Sequence, residues 1–198
     1  MRTTGTAAKT SRPRVVTIEH WFDVICPFCY IAQDRNRILR AHGIRVVERA
    51  LQIHPEIGPG GIPAGPRTGP TYDFLAHQAE AAGLPLNWSD RIPNSRPALA
   101  AYEWLAKTNP TTAHKFVTSV FTAYFANRQD IESLDLLLHL AARAGANPHP
   151  LHTALTTPPS TISTPHSTAR ASTPAAHTST FSDPDSTAYA SAPAARIS

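Results

Sequence analysis

"FDVICPFCYIAQ", residues 22–33, holds the only two cysteines of this 198-residue chain, Cys26 and Cys29, with Pro27 and Phe28 between them. The residues before it read as a strand. In "RVVTIEHWFDV" (14–24), Val16, Ile18, His20 and Phe22 alternate with Val15, Thr17, Glu19 and Trp21, and both sets are partly apolar. That pattern predicts a strand covered on two faces within an α/β sheet. The residues after it read as a helix. Pro27 suits a first helical turn, where its missing N–H removes no bond, and "FCYIAQDRNRILRAH" continues to Gly43, a fitting C-terminal stop. "IRVVERAL" (44–51) then supplies a second strand. Strand, helix and strand make one βαβ unit, for which a right-handed crossover is expected.

Beyond this unit the pattern changes. Residues 55–71, "PEIGPGGIPAGPRTGPT", are dense in Gly and Pro and predict a loop. It lacks the Gly-Lys-Ser/Thr ending of a phosphate cradle and has prolines where N–H donors would be needed, which argues against a phosphate site. Helical segments follow. "TYDFLAHQAEAAGL" stops at Gly83, "RPALAAYEWLAK" is rich in Ala and Leu, and Asn109 before Pro110 is placed to cap "TTAHKFVTSVFTAYFANR". Asp130 is expected to cap "IESLDLLLHLAARAG", where Ile131, Leu134, Leu138 and Ala142 recur at helical spacing until Gly145. The aromatic residues Phe116, Phe121, Tyr124 and Phe125 are expected in the core of this helical layer. His149 and His152, in "NPHPLH", are expected to be exposed loop residues.

The two ends differ in character. Residues 1–13 predict a flexible N-terminus. From residue 156 to 198 roughly three quarters of positions are Ser, Thr, Pro or Ala, without apolar periodicity, which predicts a disordered low-complexity tail. The domain expected to fold is therefore 14–155, comprising the βαβ part (14–54), the loop (55–71) and the helical part (72–155). A formal charge of +4 is carried by scattered basic residues rather than a stripe interleaved with aromatics, so no nucleic-acid partner is expected. No apolar run has the length of a signal peptide or a membrane span. The expectation is a cytoplasmic protein with no membrane association.

In a reducing compartment, paired thiols point to catalysis or metal binding rather than to a structural disulfide. A zinc site needs about four ligands, and none of the ten histidines forms a second pair at recognised spacing beside a folded element. No metal and no cofactor are expected. Two inert core cysteines are the plain alternative. The redox alternative has a mechanism: at the first turn of a helix, unpaired N–H groups and the dipole stabilise a thiolate. Cys26 then attacks, and Cys29, one turn later, resolves the mixed disulfide. Pro27 and Phe28 add no charge and tune the redox poise.

"FDVICPFCYIAQDR" resembles the active-site segment of the DsbA-like branch of the thioredoxin superfamily, in particular its cytoplasmic FrnE-like members, where an Asp precedes a Cys-Pro-aromatic-Cys-Tyr run. "ALQIHPEIGPGG" is similar to that family's second strand and following loop, and "VFTAYFANRQDIESLDLLLHLAARAGAN" to its helical insertion. The resemblance covers about Arg14 to Leu155. It implies a thioredoxin-like α/β fold with a helical insertion domain, and a thiol–disulfide oxidoreductase acting on protein or small-molecule thiols and disulfides.

The family continues with a Gly-Val-Pro-Thr-like segment carrying a cis-proline, then two strands and a helix. This C-terminal ββα part is expected to be missing here, its place taken by the tail either through truncation or a frame change or as a genuine linker-like extension. Thr157-Pro158, Thr164-Pro165 and Thr173-Pro174 do not follow Gly-Val. Two other functions stay open. One is a glutathione-dependent transferase or 2-hydroxychromene-2-carboxylate isomerase-like enzyme, in whose branch serine commonly replaces the first cysteine. The other is an inactive truncated relative or a thiol-independent, chaperone-like binding protein.

Overall fold

The computed structural model describes residues 15–157. The segments expected to form a flexible N-terminus (1–13) and a low-complexity tail lie outside the described residues, apart from residues 156 and 157. So do Pro158, Pro165 and Pro174.

Strand β1 (Thr17–Phe22) and strand β2 (Arg45–Ala50) pair in parallel, with Thr17 opposite Arg45 and Phe22 opposite Ala50. Helix α1 (Pro27–Ala41) joins them, starting with Pro27 at its first position and ending before Gly43, whose φ of +76° is one that glycine adopts without strain. This is the βαβ unit read from the sequence. Its sheet differs from expectation in one respect. Among the described residues only one face of β1 is covered: Ile18 and His20 are half-buried and Phe22 is buried, while Thr17, Glu19 and Trp21 face outward. Trp21 is 55% exposed, and the Glu19 carboxylate pairs with Arg49 across the open face at 2.9 Å. The apolar residues on both sides of β1 predicted two-sided coverage, and no described element covers the second side.

The loop expected over 55–71 includes a two-residue strand, β3 (Ile62–Pro63), which pairs antiparallel with a later strand, β4 (Arg91–Ile92), in a second two-stranded sheet. Gly61, just before β3, has φ +65°, and a Cβ there would collide with the carbonyl oxygen of Ile92. Helix α2 (Pro70–Ala81) follows, then β4 and helix α3 (Arg96–Thr108). Asn109 caps helix α4 (Pro110–Phe121), accepting from the N–H groups of Thr111 and Thr112 at 3.1 Å each. A π-helical turn, Thr122–Ala126, extends α4.

Helix α5 (Leu134–Ala144) is capped by Ser133 and stopped by Gly145, at φ +98°. Asp130 instead holds the turn before it, accepting from Glu132 N–H at 3.0 Å. Ile131 is fully buried as an anchor for that turn rather than as a first-turn helical residue. Of the stripe read from the sequence only Ile131 is buried: Leu134 and Leu138 are half-buried and Ala142 is exposed, and the face of α5 that packs inward is Leu137, Leu140, Ala141 and Ala144. Residues 148–156 form helix α6 (Pro148–Thr156), so His149 and His152 are exposed as expected but helical.

The core lies where β1 meets the helical layer. Helix α4 packs between α3 and α5 and buries Phe116, Val117, Val120 and Phe121 completely. Phe121 is the meeting point: its ring lies 6.0 Å from Phe22 at the end of β1, 6.1 Å from Tyr30 on α1 and 6.4 Å from Phe125. A polar clamp joins the same elements. Glu48 on β2 pairs with Arg40 of α1 at 3.1 Å and His114 of α4 at 3.0 Å. Burial alone would raise its carboxyl, but these partners outweigh it and hold it below the ordinary range. Phe121→Ala should therefore destabilise the protein by about 3–5 kcal/mol, as large core deletions do. Urea unfolding measures this, and a cost below about 1 kcal/mol would mean that β1 and the helices are not joined through this ring.

Candidate active site

Strand β1 delivers the chain directly to the cysteines. Backbone pairing ends at Phe22, whose carbonyl accepts from Leu51 N–H at 2.8 Å, and residues 23–25 turn inward before α1 begins. Cys26 is the N-cap of α1, with Pro27 behind it at the first position. Its own N–H donates to the Asp23 carbonyl at 3.1 Å, and its carbonyl accepts from Tyr30 N–H at 3.1 Å. No side-chain hydrogen bond caps the helix; the Cys26 sulfur lies beside the first-turn backbone of Phe28 and Cys29, whose N–H groups favour its ionised form.

The consequence is a thiol held well below its usual value, to about 6. The largest cause is a hydrogen bond from the Cys29 thiol, one turn along. The backbone N–H groups of Cys29 and Phe28 add to it, against the opposing effect of burial. Cys29 is pushed up, because it donates to Cys26 and is itself partly buried. The motif therefore splits into an ionisable outer thiol and an inner thiol that keeps its proton, and both are free in this structure. Of the other two residues singled out in the sequence, Pro27 fixes the helix start. Phe28 contributes its N–H to the sulfur while its ring is 52% exposed.

Beneath the thiols sits Asp23, fully buried. It could be read from the sequence as either a proton acceptor or a helix cap, and its side chain does not cap α1. One oxygen accepts from Ile25 N–H at 3.3 Å; the other accepts from Ile53 N–H at 2.8 Å and the Ser95 hydroxyl at 3.1 Å. These donors come from three separate segments: the turn into α1, the chain leaving β2, and the start of α3.

The mouth of the site is a cavity of about 210 Å³. Cys26, Pro27 and Phe28 form one side, Ile53 and His54 the rim, Tyr72, Leu75, Tyr124 and Phe125 the helical wall, and Trp88, from the segment after α2, completes the lining. The π-helical turn shapes that wall. It changes the angular spacing of the side chains after Phe121, so that Phe125 stacks on Tyr30 at 4.8 Å while Tyr124 donates to the Arg91 carbonyl at 3.1 Å. The turn's displaced carbonyls are satisfied from outside, Phe125 O by Asn87 N–H and Ala126 O by the Asn87 side chain, both at 2.6 Å. As the sequence indicated, Phe116, Phe121, Tyr124 and Phe125 are core residues, but the last two also line the cavity.

One charged residue enters the cavity from the Gly/Pro-rich loop. The guanidinium of Arg67 lies 5.1 Å from the Trp88 ring centroid and 5.7 Å from that of Tyr72, and donates to the Tyr72 hydroxyl at 3.2 Å. Nothing in the spacing of "GPRTGP" marked it, since its contacts are made by residues from two later segments. Glu132 locks the adjoining loops, accepting from Gly60 N–H at 2.8 Å, Asn94 N–H at 3.0 Å and Arg91 at 2.8 Å. Among the described residues no group of three or more His, Cys, Asp or Glu side chains could hold a metal, and no helix is long and apolar enough to cross a membrane.

Comparison with known proteins places this geometry among relatives. A family profile described as the DSBA-like thioredoxin domain matches residues 17–172. A curated relative, the uncharacterized protein YwbO of Bacillus subtilis (strain 168), is 24% identical over 148 residues, 72% of each chain. Among solved structures, a probable DsbA oxidoreductase from Streptomyces coelicolor superposes with a TM-score of 0.60 at 24% identity, covering 71% of this chain and 68% of that one. A 2-hydroxychromene-2-carboxylate isomerase superposes with a TM-score of 0.55 at 18% identity, covering 72% of each chain. These structural likenesses establish the fold; one architecture hosts both chemistries.

Burial holds the Asp23 carboxyl above its ordinary value of 3.8, against the lowering effect of its three donors. The folded protein therefore binds this proton more tightly than the unfolded chain, so the group's contribution to stability falls as pH rises from 3.8 through its folded value. Asp23→Asn removes that titration. The wild-type unfolding free energy minus that of Asp23→Asn is expected to decrease with rising pH across this window, as measured by urea unfolding at a series of pH values. An increase would mean that the carboxylate is stabilised by its donors more than burial penalises it. Asp23→Ala should cost about 1–3 kcal/mol for each donor left unpaired.

Proposed function

The chain belongs to the DSBA-like thioredoxin domain family, and on that premise we propose that it is a thiol–disulfide oxidoreductase working through the Cys26–Cys29 dithiol. The observation that carries this reading is the division of labour between the two sulfurs: Cys26 is lowered to about 6 by the helix terminus and the Cys29 thiol, while Cys29 is raised. A half-buried thiolate at a cavity mouth attacks; a protonated thiol one turn away waits.

The chemistry balances with these two groups alone. The Cys26 thiolate attacks one sulfur of a substrate disulfide; a Cys26–substrate bond forms, the substrate S–S bond breaks, and one substrate thiolate leaves. Cys29 gives up its proton and attacks the Cys26 sulfur, closing the intramolecular disulfide and releasing the second substrate thiolate. The dithiol loses two electrons and the substrate disulfide gains them. The same steps in reverse oxidise a substrate dithiol. Pro27 and Phe28 tune the balance, Phe28 through its N–H on the sulfur. The exposed rings and side chains of Phe28 and Ile53, 52% and 43% accessible, offer an apolar landing surface beside the thiol.

The Cys-Pro-aromatic-Cys-Tyr run together with residues 120–147 supports a place in the cytoplasmic FrnE-like branch, with 14–155 as the working domain. The transferase or isomerase reading needs no resolving thiol, and the Cys29 hydrogen bond to Cys26 favours dithiol chemistry over it.

Intact-mass analysis of the reduced protein after exposure to a small disulfide tests the assignment. Wild type is expected to lose two hydrogens and carry no adduct. Cys29→Ser should accumulate a stable mixed disulfide, and Cys26→Ser should form one at least about tenfold more slowly, since the remaining thiol is protonated. Equal reactivity of the two single variants would contradict the assigned roles.

A further inference from the structure

Arg67 is the charged residue of the cavity that the dithiol chemistry leaves without a task. Its guanidinium is held against Trp88 and Tyr72, so its orientation is fixed before any ligand arrives. Its Nη1 donates to a neutral hydroxyl, that of Tyr72. Its Nε is buried with no acceptor, and among the described residues Arg67 makes no ion pair. The other basic side chain at the rim, His54, is engaged by Glu56 at 2.8 Å. A cavity-lining guanidinium with no anionic partner suits a ligand that brings a carboxylate to its outward-facing donors.

We infer that Arg67 is the carboxylate anchor of a substrate subsite, and that the cavity takes a low-molecular-weight disulfide or thiol whose carboxylate meets Arg67 while its sulfur meets Cys26. The inference rests on the dithiol function proposed above and adds the substrate class. The size of the cavity supports a small molecule. Its 210 Å³ falls below the roughly 300–1,000 Å³ of sites that enclose drug-sized ligands. The walls fit the same ligand: Arg67 and Cys26 line one cavity together with Leu75, Ile92 and Phe125, whose apolar side chains suit a short methylene chain. Arg67 touches neither sulfur in this arrangement and acts by binding.

Three disulfides of matched skeleton separate the possibilities: dithiodipropionate, its neutral diamide, and the cationic cystamine. Each is given in excess to the reduced full-length chain, and the rate of closure of the Cys26–Cys29 disulfide is followed in a single turnover, where the dithiol supplies both electrons. Rates are normalised to those of free mercaptoethanol with the same disulfides, which removes differences in leaving group. Wild type should favour the dicarboxylate over the diamide by about tenfold or more, as expected for a charge-assisted pair, and should react slowest with cystamine. In Arg67→Gln the ratio of dicarboxylate to diamide rates should fall to near one, and a urea midpoint close to that of wild type shows that the variant is folded. Arg67→Lys should keep part of the preference. A wild-type ratio near one, or a preference surviving in Arg67→Gln, would overturn the subsite while leaving the dithiol function standing. Failure of all three disulfides to oxidise the protein would overturn both.

Discussion

A single buried carboxylate holds the site in register. Asp23 lies at the point where β1 stops pairing and α1 has not begun, and its two oxygens collect N–H and O–H donors from the turn itself, from residue 53 and from residue 95. Each of those segments is irregular and has no ladder of its own to satisfy its polar groups at that depth, so a shared acceptor is what allows them to be buried together. The arrangement has an electrostatic cost, visible in the raised carboxyl of Asp23, and a small effect on the chemistry, since its charge works against ionisation of Cys26. The fold accepts that penalty because the helix terminus and Cys29 outweigh it.

The helical layer converts this junction into a pocket. Phe121 fixes α4 against the end of β1 and against α1, and the π-helical turn after it rotates Tyr124 and Phe125 toward the cysteines rather than along the regular helical stripe. Trp88 and Tyr72, edge to face at 5.4 Å, close the opposite side and seat the guanidinium of Arg67. A cavity lined by both a nucleophilic sulfur and a cation is thereby assembled from five separate stretches of chain, with only the sulfur contained in a contiguous motif.

That division explains what could be read from the sequence. The βαβ unit, the helix start at Pro27, the stop at Gly43, the Asn109 cap and the pairing of Cys26 with Cys29 are local. Each follows from neighbours within a turn or two, and each is present. The cap of α5 was misplaced because Asp130 and Ser133 are both good capping residues, and only the burial of Ile131 decides that the chain turns first and coils afterwards. The outward face of β1 was misjudged because Val15 and Trp21 are apolar by composition, whereas their coverage depends on which elements lie opposite. The role of Asp23 and the presence of Arg67 were illegible for a stricter reason: partners lie 30 to 72 residues away in one case, and on the first turn of α2 and in the chain after α2 in the other.

The account stands on the claim that α1 and Cys29 together make Cys26 a thiolate near neutral pH. Following the alkylation rate of the reduced protein with iodoacetamide as a function of pH tests it most directly. A midpoint near about 6 in wild type, moving upward in Cys29→Ala as the thiol donor is lost, is the predicted result. A midpoint at the free-thiol value of about 8.5, unchanged by Cys29→Ala, would show that the helix terminus and the inner thiol do not act on Cys26, and the redox reading of the site would fall with it.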